Sequence, residues 1–469
     1  MFSTSTGPVT DHVQANRCVS DMAVLAFGDR SYSRSELDAL AAGLAGELAG
    51  QGIRSGDRVA VMSTNRPEFI IAVQAIWRLG AAAVLLSPAW KAAEVSHAID
   101  LTGVRHGVGD VQALADRLPM RHLDEPIEPA AEIGTILDRD AEALLVFSSG
   151  TTGMPKAVRH THRSFAAAVG HWRAALGMTA ADRVQIVTPP SHILGLLNIA
   201  TALEAGAWLR LHGRFDIATM LSSIASDRIT IEMAVAPIAL AIASHPDLES
   251  FDLSSLRYIM WCATPVTESV AQTVTRRTGV GWVSAYGTSE VPVIACCPLD
   301  EPRLDTVGRP VPGVDVRISD AGEIQVRSQS AMAGYLPDSE TAKAFDDGWY
   351  RTGDVGDLDD DGWLRITDRL KEMIKVRGFQ VAPAEVEAVL HGHPAVRDCA
   401  VFGVDDGING EAVVAAVVAD PPVDPAELID LVTDRLASYK CPREIVFVPQ
   451  IPRLPSGKAL RRILKEQHV

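Results

Sequence analysis

A loop rich in hydroxyl and glycine residues follows an apolar stretch at residues 144–147. It comprises Ser148, Ser149, Gly150, Thr151, Thr152, Gly153, Met154, Pro155 and Lys156. Backbone N–H groups, hydroxyls and one ammonium can converge there on a polyphosphate, and glycine lets the backbone approach it closely. The glycine–lysine spacing, and the alanine after the lysine, differ from the P-loop of kinases. We predict a phosphate loop of another type; the alternative is a turn with a solvated lysine.

Four further motifs lie downstream. They are Tyr286-Gly287-Thr288-Ser289-Glu290; Tyr350-Arg351-Thr352-Gly353-Asp354; Asp368-Arg369-Leu370-Lys371-Glu372 with Lys375-Val376-Arg377-Gly378-Phe379-Gln380; and Pro455-Ser456-Gly457-Lys458. Together with the loop, they resemble the adenylate-forming superfamily of acyl-CoA synthetases, adenylation domains and luciferases. The segment from Pro246-Asp247-Leu248 through Asp252-Leu253-Ser254-Ser255-Leu256-Arg257 makes the resemblance closest to the 4-coumarate–CoA ligase type. The resemblance spans nearly the whole chain. It implies an AMP-forming acid–thiol ligase that converts a carboxylic acid and ATP into an acyl-AMP and then transfers the acyl group to coenzyme A.

The resemblance implies a set of nucleotide and coenzyme A positions. These are Ser148, Ser149, Gly150, Thr151, Thr152, Gly153, Lys156, Ala263, Thr264, Pro265, Tyr286, Gly287, Asp354, Arg369, Lys375, Arg377, Gly378 and Gln380. Tyr286 would stack on adenine against a wall at residues 263–265, and Asp354 would accept both ribose hydroxyls beside Arg369. The alternatives are a core tyrosine and a structural salt bridge between Asp354 and Arg369.

Four residues match catalytic positions of the family. A carboxylate that attacks the α-phosphorus of ATP meets a polyanion, so cations and donors must gather at that point. Lys458 matches the adenylation lysine, Thr288 would donate to the α-phosphate, and Glu290 would hold Mg²⁺, which takes one or two carboxylates beside phosphates and water. His192 would lie beside the acyl carboxylate. A surface lysine, a solvated glutamate and a structural histidine are the alternatives.

The predicted hinge is Lys371, two residues after Arg369. A hinge would let one mobile domain serve both half-reactions, with Lys458 present for adenylation and the region of Arg377, Gly378 and Gln380 present for the thiol.

The predicted acyl pocket is apolar. It comprises His192, Leu194, Trp261, Cys262, Ala285, Val291 and Pro292. Leu194 stands where 4-coumarate ligases have a tyrosine, and Ala285 replaces a usual glycine. Since no charged side chain would pair with a second charge, we expect a compact apolar monocarboxylate, either a short to medium aliphatic acid, as in fatty acid metabolism, or a small aromatic acid. Trp261 could instead point into the core.

Bulk properties exclude several classes. The chain has 469 residues, a net charge of −16 and six scattered cysteines. The negative charge argues against nucleic acid as a partner, and the cysteine spacing argues against disulfides or zinc. We find no secretory signal or membrane span and predict a cytoplasmic protein.

Alternating apolar strands and amphipathic helices predict an α/β fold. Early examples are a capped helix from Ser33, a strand at Arg58–Met62, a helix at residues 68–79 and a strand at 81–86. A second α+β pattern begins near Lys371, with a helix opened by Pro383 and a strand at residues 400–402 among its elements. We therefore expect a large N-terminal adenylation domain at residues 1–370 and a smaller, mobile C-terminal domain at 371–469.

Other functions remain open. An acyl carrier protein ligase would share the adenylation residues and differ only in its acceptor. A stand-alone amino acid adenylating enzyme needs an aspartate for the substrate ammonium, commonly just after the region of His192, where this chain has Ile193. A nonenzymatic nucleotide sensor would bind ATP without forming AMP.

Overall fold

The computed structural model describes residues 22–131, 138–148, 155–263, 266, 268–370, 372–376, 379–407, 410–453 and 459–468. The helices in these ranges are α1 (Arg34–Gly50), α2 (Pro67–Arg78), α3 (Ala92–Thr102), α4 (Gln112–Ala115), α5 (His162–Leu176), α6 (Ile193–Ala205), α7 (Ile217–Asp227), α8 (Ala236–Ser244), α9 (Glu268–Thr278), α10 (Thr341–Ala344), α11 (Pro383–His391), α12 (Pro425–Arg435) and α13 (Arg461–His468). Short 3-10 helices lie at Leu248–Ser250, Asp338–Glu340 and Ser438–Lys440.

The strands complete a mixed α/β fold. The first half of the chain contains β1 (Ala23–Phe27), β2 (Arg30–Ser33), β3 (Arg58–Met62), β4 (Ala82–Leu86), β5 (His106–Gly109), β6 (Met120–His122), β7 (Glu142–Ser148), β8 (Lys156–Thr161), β9 (Arg183–Ile186), β10 (Trp208–Leu211) and β11 (Ile231–Ala234). The middle contains β12 (Tyr258–Trp261), β13 (Trp282–Tyr286), β14 (Ala295–Cys296), β15 (Arg309–Pro310), β16 (Val314–Ile318), β17 (Glu323–Ser328), β18 (Gly334–Leu336), β19 (Phe345–Asp346), β20 (Trp349–Leu358) and β21 (Leu364–Arg369). The last strands are β22 (Ile374–Val376), β23 (Phe379–Val381), β24 (Val396–Asp405), β25 (Glu411–Ala419) and β26 (Glu444–Phe447).

The chain divides into two compact units. The first comprises Met1–Ile231, Ser289–Pro292 and Gln329–Lys343; the second comprises Glu232–Thr288, Val293–Ser328 and Ala344–Val469. The predicted boundary at residues 370/371 stays a prediction.

The first unit contains a seven-stranded sheet in the order β18-β8-β7-β4-β3-β5-β6. Its central strands β3 and β4 are parallel and, apart from Arg58, buried, so they consist of continuous apolar runs rather than alternating patterns. The capping box predicted for α1 forms, because Ser33 and Glu36 accept each other's backbone N–H groups. A second group of strands in this unit has the order β9-β10-β1-β2.

In the second unit, β12 and β13 are parallel, and β16, β17, β19, β20 and β21 form an antiparallel sheet. The smaller C-terminal region has its own sheet, β24-β25-β26. Val386 of α11 and Leu428 of α12 pack on one face of it, and Leu464 of α13 packs on the other. Burial on both faces explains the continuous apolar runs of β24 and β25, and the fold class is as predicted. No helix of the described residues is long and apolar enough to cross a membrane.

Candidate active site

Tyr286, Asp354 and Arg369 form one polar cluster in the second unit. Strand register brings Asp354 of β20 opposite Arg369 of β21, and Tyr286 lies at the end of β13. The Tyr286 hydroxyl donates to Asp354 Oδ2 at 2.5 Å, and Arg369 Nε lies 2.9 Å from Asp354 Oδ1. Asp354 is 3% exposed and Tyr286 is 9% exposed. Three separate sequence motifs thus converge on one buried carboxylate.

Electrostatics keep this cluster in a defined protonation state. Burial, and then the charge of Asp354, raises the pKa of Tyr286 well above its usual value, so the hydroxyl stays a donor. Burial opposes the charge of Arg369, but neighbouring groups, Asp354 first among them, raise its pKa. The salt bridge that we considered as an alternative is present, and it leaves the ribose and adenine roles as predictions.

Lys156 and Glu290 belong to a second cluster, in the first unit. Lys156 lies opposite Ser148 where β7 and β8 meet the predicted phosphate loop. Its ammonium donates to Glu340 and lies 5.5 Å from the centre of the Tyr335 ring. The Tyr335 hydroxyl donates to Glu290 Oε1 at 2.7 Å. Glu290 is 7% exposed, so its carboxylate is held in a largely buried position.

The residues between Tyr286 and Glu290 in the sequence are partly buried, and the backbone after β12 is strained. Gly287 and Thr288 are half-buried after Tyr286. Ala263 follows the buried Cys262 and has a φ of 68°, in the left-handed region that an alanine rarely adopts. Such a conformation costs about 1–2 kcal/mol and is found preferentially at binding sites. This strain is compatible with the predicted wall of the adenine pocket.

His192 precedes the first turn of α6 as its N-cap residue. The His192 N–H donates to the carbonyl oxygen of Pro189 in a turn at 3.1 Å, and Gly195 permits the backbone to approach that oxygen, because a Cβ there would lie 2.2 Å from it. Surrounding protein lowers the pKa of His192 by desolvation, although much of the residue remains exposed, so the imidazole is neutral near pH 7. Leu194 is half-buried one residue into the helix.

The predicted acyl-pocket residues of β12 and β13 do not share one wall. Trp261 lies opposite Ser284 in strand register, so Ala285 points to the other face of the sheet. Trp261 is 1% exposed and packs against Trp282, with ring centres 5.2 Å apart. The structure therefore gives Trp261 the core position that was one of its two alternatives.

The remaining predicted pocket residues, Cys262, Val291 and Pro292, are buried or half-buried. Burial raises the pKa of the Cys262 thiol to about 12, so it is not a reactive thiolate. Val291 is fully buried and Pro292 is half-buried.

The coenzyme A positions and the hinge are described in part. Lys375 is exposed and lies opposite Gln380 in the β22-β23 ribbon. Several predicted residues lie outside the described residues: Ser149, Gly150, Thr151, Thr152, Gly153, Thr264, Pro265, Lys371, Arg377, Gly378 and Lys458.

Comparison with known proteins gives these motifs a family. A model described as AMP-binding enzyme matches residues 12–336, and one described as AMP-binding enzyme C-terminal domain matches residues 385–458. The chain belongs to the AMP-binding enzyme family. The predicted resemblance is thereby confirmed, and so is the AMP-forming acid–thiol ligase class, because curated relatives are CoA ligases.

Named relatives of this AMP-binding enzyme cover nearly its whole length. A methyl-dioxo-octahydroindenyl-propanoyl:CoA ligase of Mycobacterium tuberculosis is 36% identical over 96% of both chains. 4-Coumarate–CoA ligase 1 of Solanum tuberosum is 33% identical over 93% of this chain and 89% of its own. The o-succinylbenzoate–CoA synthetase of Bacillus subtilis has been solved with its acyl-adenylate, at 30% identity over 97% of both chains and a TM-score of 0.87. The same synthetase has been solved with ATP and a magnesium ion, at 29% identity, a TM-score of 0.87 and coverage of 97% of this chain and 98% of that one.

Sequence reasoning on this AMP-binding enzyme missed Tyr335 and Glu340. Both contact predicted site residues, yet neither lies in a motif that we identified. The available signal was weak: Gly334–Leu336 is a strand of only three residues, and its pairing with β8 depends on the tertiary fold.

Proposed function

We propose that this AMP-binding enzyme is an ATP-dependent acid–CoA ligase. A substrate carboxylate oxygen attacks the α-phosphorus of ATP, the acyl–O–P bond forms, and the bond to the β-phosphate breaks with release of pyrophosphate. The thiolate of coenzyme A then attacks the acyl carbonyl carbon, and AMP leaves. The observation that carries the proposal is the Tyr286–Asp354–Arg369 cluster, where an aromatic ring, a buried carboxylate and a guanidinium meet.

This cluster suits the nucleoside half of ATP. Asp354 can accept hydrogen bonds from two ribose hydroxyls, Arg369 can contact ribose or phosphate, and the ring of Tyr286 offers a face to adenine. Thr288 follows in the same segment and would donate to the α-phosphate. Lys156, with the loop from Ser148, would bind the outer phosphates.

Mg²⁺ would be held by Glu290. One of its carboxylate oxygens accepts from Tyr335, which leaves the other oxygen for a metal. Among the described residues there is no cluster of three or more His, Cys, Asp or Glu side chains that could hold a metal. Mg²⁺ bound with a nucleotide commonly takes one or two protein carboxylates, with phosphates and water as the remaining ligands. When bound, the ion would neutralise charge on the phosphates.

The two half-reactions would use one mobile C-terminal domain at residues 371–469. Lys458 would contact the carboxylate and the α-phosphate during adenylation. Rotation about Lys371 would then bring four residues to the thiol of coenzyme A: Lys375, Arg377, Gly378 and Gln380. A cytoplasmic location remains a prediction from the sequence.

The half-reactions can be tested separately in a Lys458→Ala variant. Pyrophosphate exchange over a panel of acids reports adenylation, and thioester formation from a supplied acyl-AMP reports the second step. We expect the first to be lost and the second to be kept, because Lys458 acts only in the adenylation transition state. Equal loss of both would contradict the role.

A Lys371→Pro variant is the counterpart. Proline fixes φ and restricts the preceding residue, so a hinge there should stop working. Adenylation should persist while thioester formation collapses, and normal turnover with coenzyme A would remove Lys371 as the hinge.

The acceptor is tested with wild-type enzyme by comparing coenzyme A with a phosphopantetheinylated carrier protein. We expect coenzyme A to be the better acceptor. Preference for the carrier would make the enzyme an acyl carrier protein ligase, and ATP binding without pyrophosphate exchange for any acid would make it a sensor.

The acid is proposed to be a compact apolar monocarboxylate. Cys262 and Ala285 add atoms where glycine would leave space, so replacing both by glycine should shift kcat/KM toward longer or bulkier acids. The expected change is about 1–3 kcal/mol in discrimination, roughly 5- to 150-fold. An unchanged ranking over a chain-length series would contradict this pocket while leaving the adenylation chemistry intact.

A further inference from the structure

Glu340 occupies an unusual position for an acidic residue, because it contacts the lysine of the predicted phosphate loop. Its carboxylate accepts from Lys156 through one oxygen and from Lys343 through the other, the latter at 2.6 Å. The Lys156 and Glu340 side chains are 28% and 21% exposed, whereas Lys343 is 72% exposed. The two lysines, Lys156 first, lower the pKa of Glu340 to about 2, so it is ionised at every physiological pH.

The backbone fixes where Glu340 lies. Strand β18 pairs with β8 so that Leu336 is opposite Ala157, the residue after Lys156. The chain then turns back, and the Tyr335 N–H donates to Thr341 Oγ1 at 2.8 Å. Gly334 permits the close approach of Thr341, because a Cβ there would lie 2.8 Å from the Thr341 hydroxyl oxygen. The segment that carries Glu340 is therefore held beside Lys156 by strand pairing and by the Tyr335–Thr341 hydrogen bond.

Resting on the proposed function, we infer that Glu340 is a positioning residue for ATP. It holds the ammonium of Lys156, on its flexible four-carbon chain, at the end of the phosphate loop before the nucleotide arrives. An ammonium has three donors, so Lys156 can keep Glu340 and still donate to a phosphate. Without Glu340, binding ATP would also have to order the lysine side chain, which weakens affinity by about three- to tenfold.

The test uses the full chain and ATP with Mg²⁺ as the probe, with no acid present. Isothermal titration calorimetry should give a Kd for ATP about three- to tenfold higher in Glu340→Gln than in wild type, while Glu340→Asp, which keeps the charge, should recover part of the loss. In steady state the KM for ATP should rise, with the KM for the acid and the thermal midpoint unchanged. Lys343→Ala is the matched control, since it removes the exposed cation on the same carboxylate, and it should bind ATP like wild type.

The inference also requires that Glu340 acts through Lys156. In a Lys156→Met background, Glu340→Gln should cause no further loss of ATP affinity. Wild-type affinity or tighter binding in Glu340→Gln, or an equal loss in the Lys156→Met background, would overturn the inference. Wild-type enzyme that binds ATP but gives no pyrophosphate exchange with any acid would instead overturn the proposed function, and the ATP affinities would still decide the role of Glu340. Wild-type enzyme that does not bind ATP would overturn both.

Discussion

Two carboxylates in this molecule are each held by a buried tyrosine hydroxyl, but their other partners differ. Asp354 accepts from Tyr286 at 2.5 Å and is also paired with Arg369, and all three residues lie in motifs found in the sequence. Glu290 accepts from Tyr335 at 2.7 Å, and Tyr335 comes from a segment with no identified motif. The partners of Asp354 could therefore be predicted from sequence motifs. The partner of Glu290 could not, because the position of Tyr335 depends on the pairing of β18 with β8. In this chain, the sequence motifs identified the groups proposed to contact ligands better than they identified the neighbours that position those groups.

The largest effect is expected on replacing Asp354 itself. An Asp354→Ala change removes the proposed ribose acceptor and leaves the Tyr286 hydroxyl and the guanidinium of Arg369 without their shared partner. We expect a loss of about 2–3 kcal/mol in kcat/KM for ATP, roughly 30- to 150-fold, since Arg369 is partly exposed and water compensates in part.

Pyrophosphate exchange at varied ATP measures this loss. Asp354→Asn serves as the control for shape, and it should lose less. A change in the KM for the acid alone would contradict the proposed role of Asp354 in nucleotide binding.

A smaller effect is expected from removing each tyrosine hydroxyl in turn. Tyr335→Phe deprives Glu290 of a hydrogen-bond donor, and we expect the Mg²⁺ concentration for half-maximal exchange to rise about five- to tenfold. Tyr286→Phe keeps the ring and leaves Asp354 paired with Arg369, so the KM for ATP should change by no more than about threefold.

Titration of Mg²⁺ at saturating ATP, with both variants in parallel, sharpens the comparison. Tyr32→Phe, at a buried tyrosine of β2, controls for loss of a hydroxyl elsewhere. Equal Mg²⁺ dependence in Tyr335→Phe and Tyr286→Phe would contradict a specific role for the Tyr335–Glu290 hydrogen bond in Mg²⁺ binding.

The smallest effect on activity is expected at Asp368, the neighbour of Arg369, whose replacement should change stability rather than ATP or Mg²⁺ binding. Burial raises its pKa to about 6, although backbone N–H groups of Arg369 and Ala384 donate to it. Because the folded pKa lies above the unfolded value near 4, this group contributes most stability below about pH 4 and loses that contribution as pH rises through about 6. Asp368→Asn should therefore be more stable than wild type near pH 7, by up to about 2 kcal/mol, and this advantage should vanish near pH 4.

Chemical denaturation at several pH values tests this prediction. The same stability difference at both ends of the range would show that Asp368 does not titrate with a raised pKa. It would also show that the buried carboxylate of Asp368 does not destabilise the fold near pH 7.

Much of the fold was predictable because local signals decide it. The capping box at Ser33 and Glu36, the strand Arg58–Met62 and the helix after Pro383 appear where their sequence patterns predict them. Strand ends were less accurate: the apolar signal at residues 400–402 belongs to a strand that runs from Val396 to Asp405. Polar residues extend β24 beyond the apolar run because their backbone N–H and C=O groups pair with β25. The local sequence does not predict that pairing.

The site divides in the same way. The sequence by itself determined the family and the AMP-forming ligase class, because the motifs that indicate them are local and are recognised from residue type and spacing alone. Only the tertiary structure decided that Trp261 packs in the core, since the two-residue period of a strand separates it from Ala285. Only the tertiary structure, likewise, brought Tyr335 to Glu290 and Glu340 to Lys156. These contacts arise from the pairing of β18 with β8, two strands far apart along the chain, and no local pattern records such a pairing.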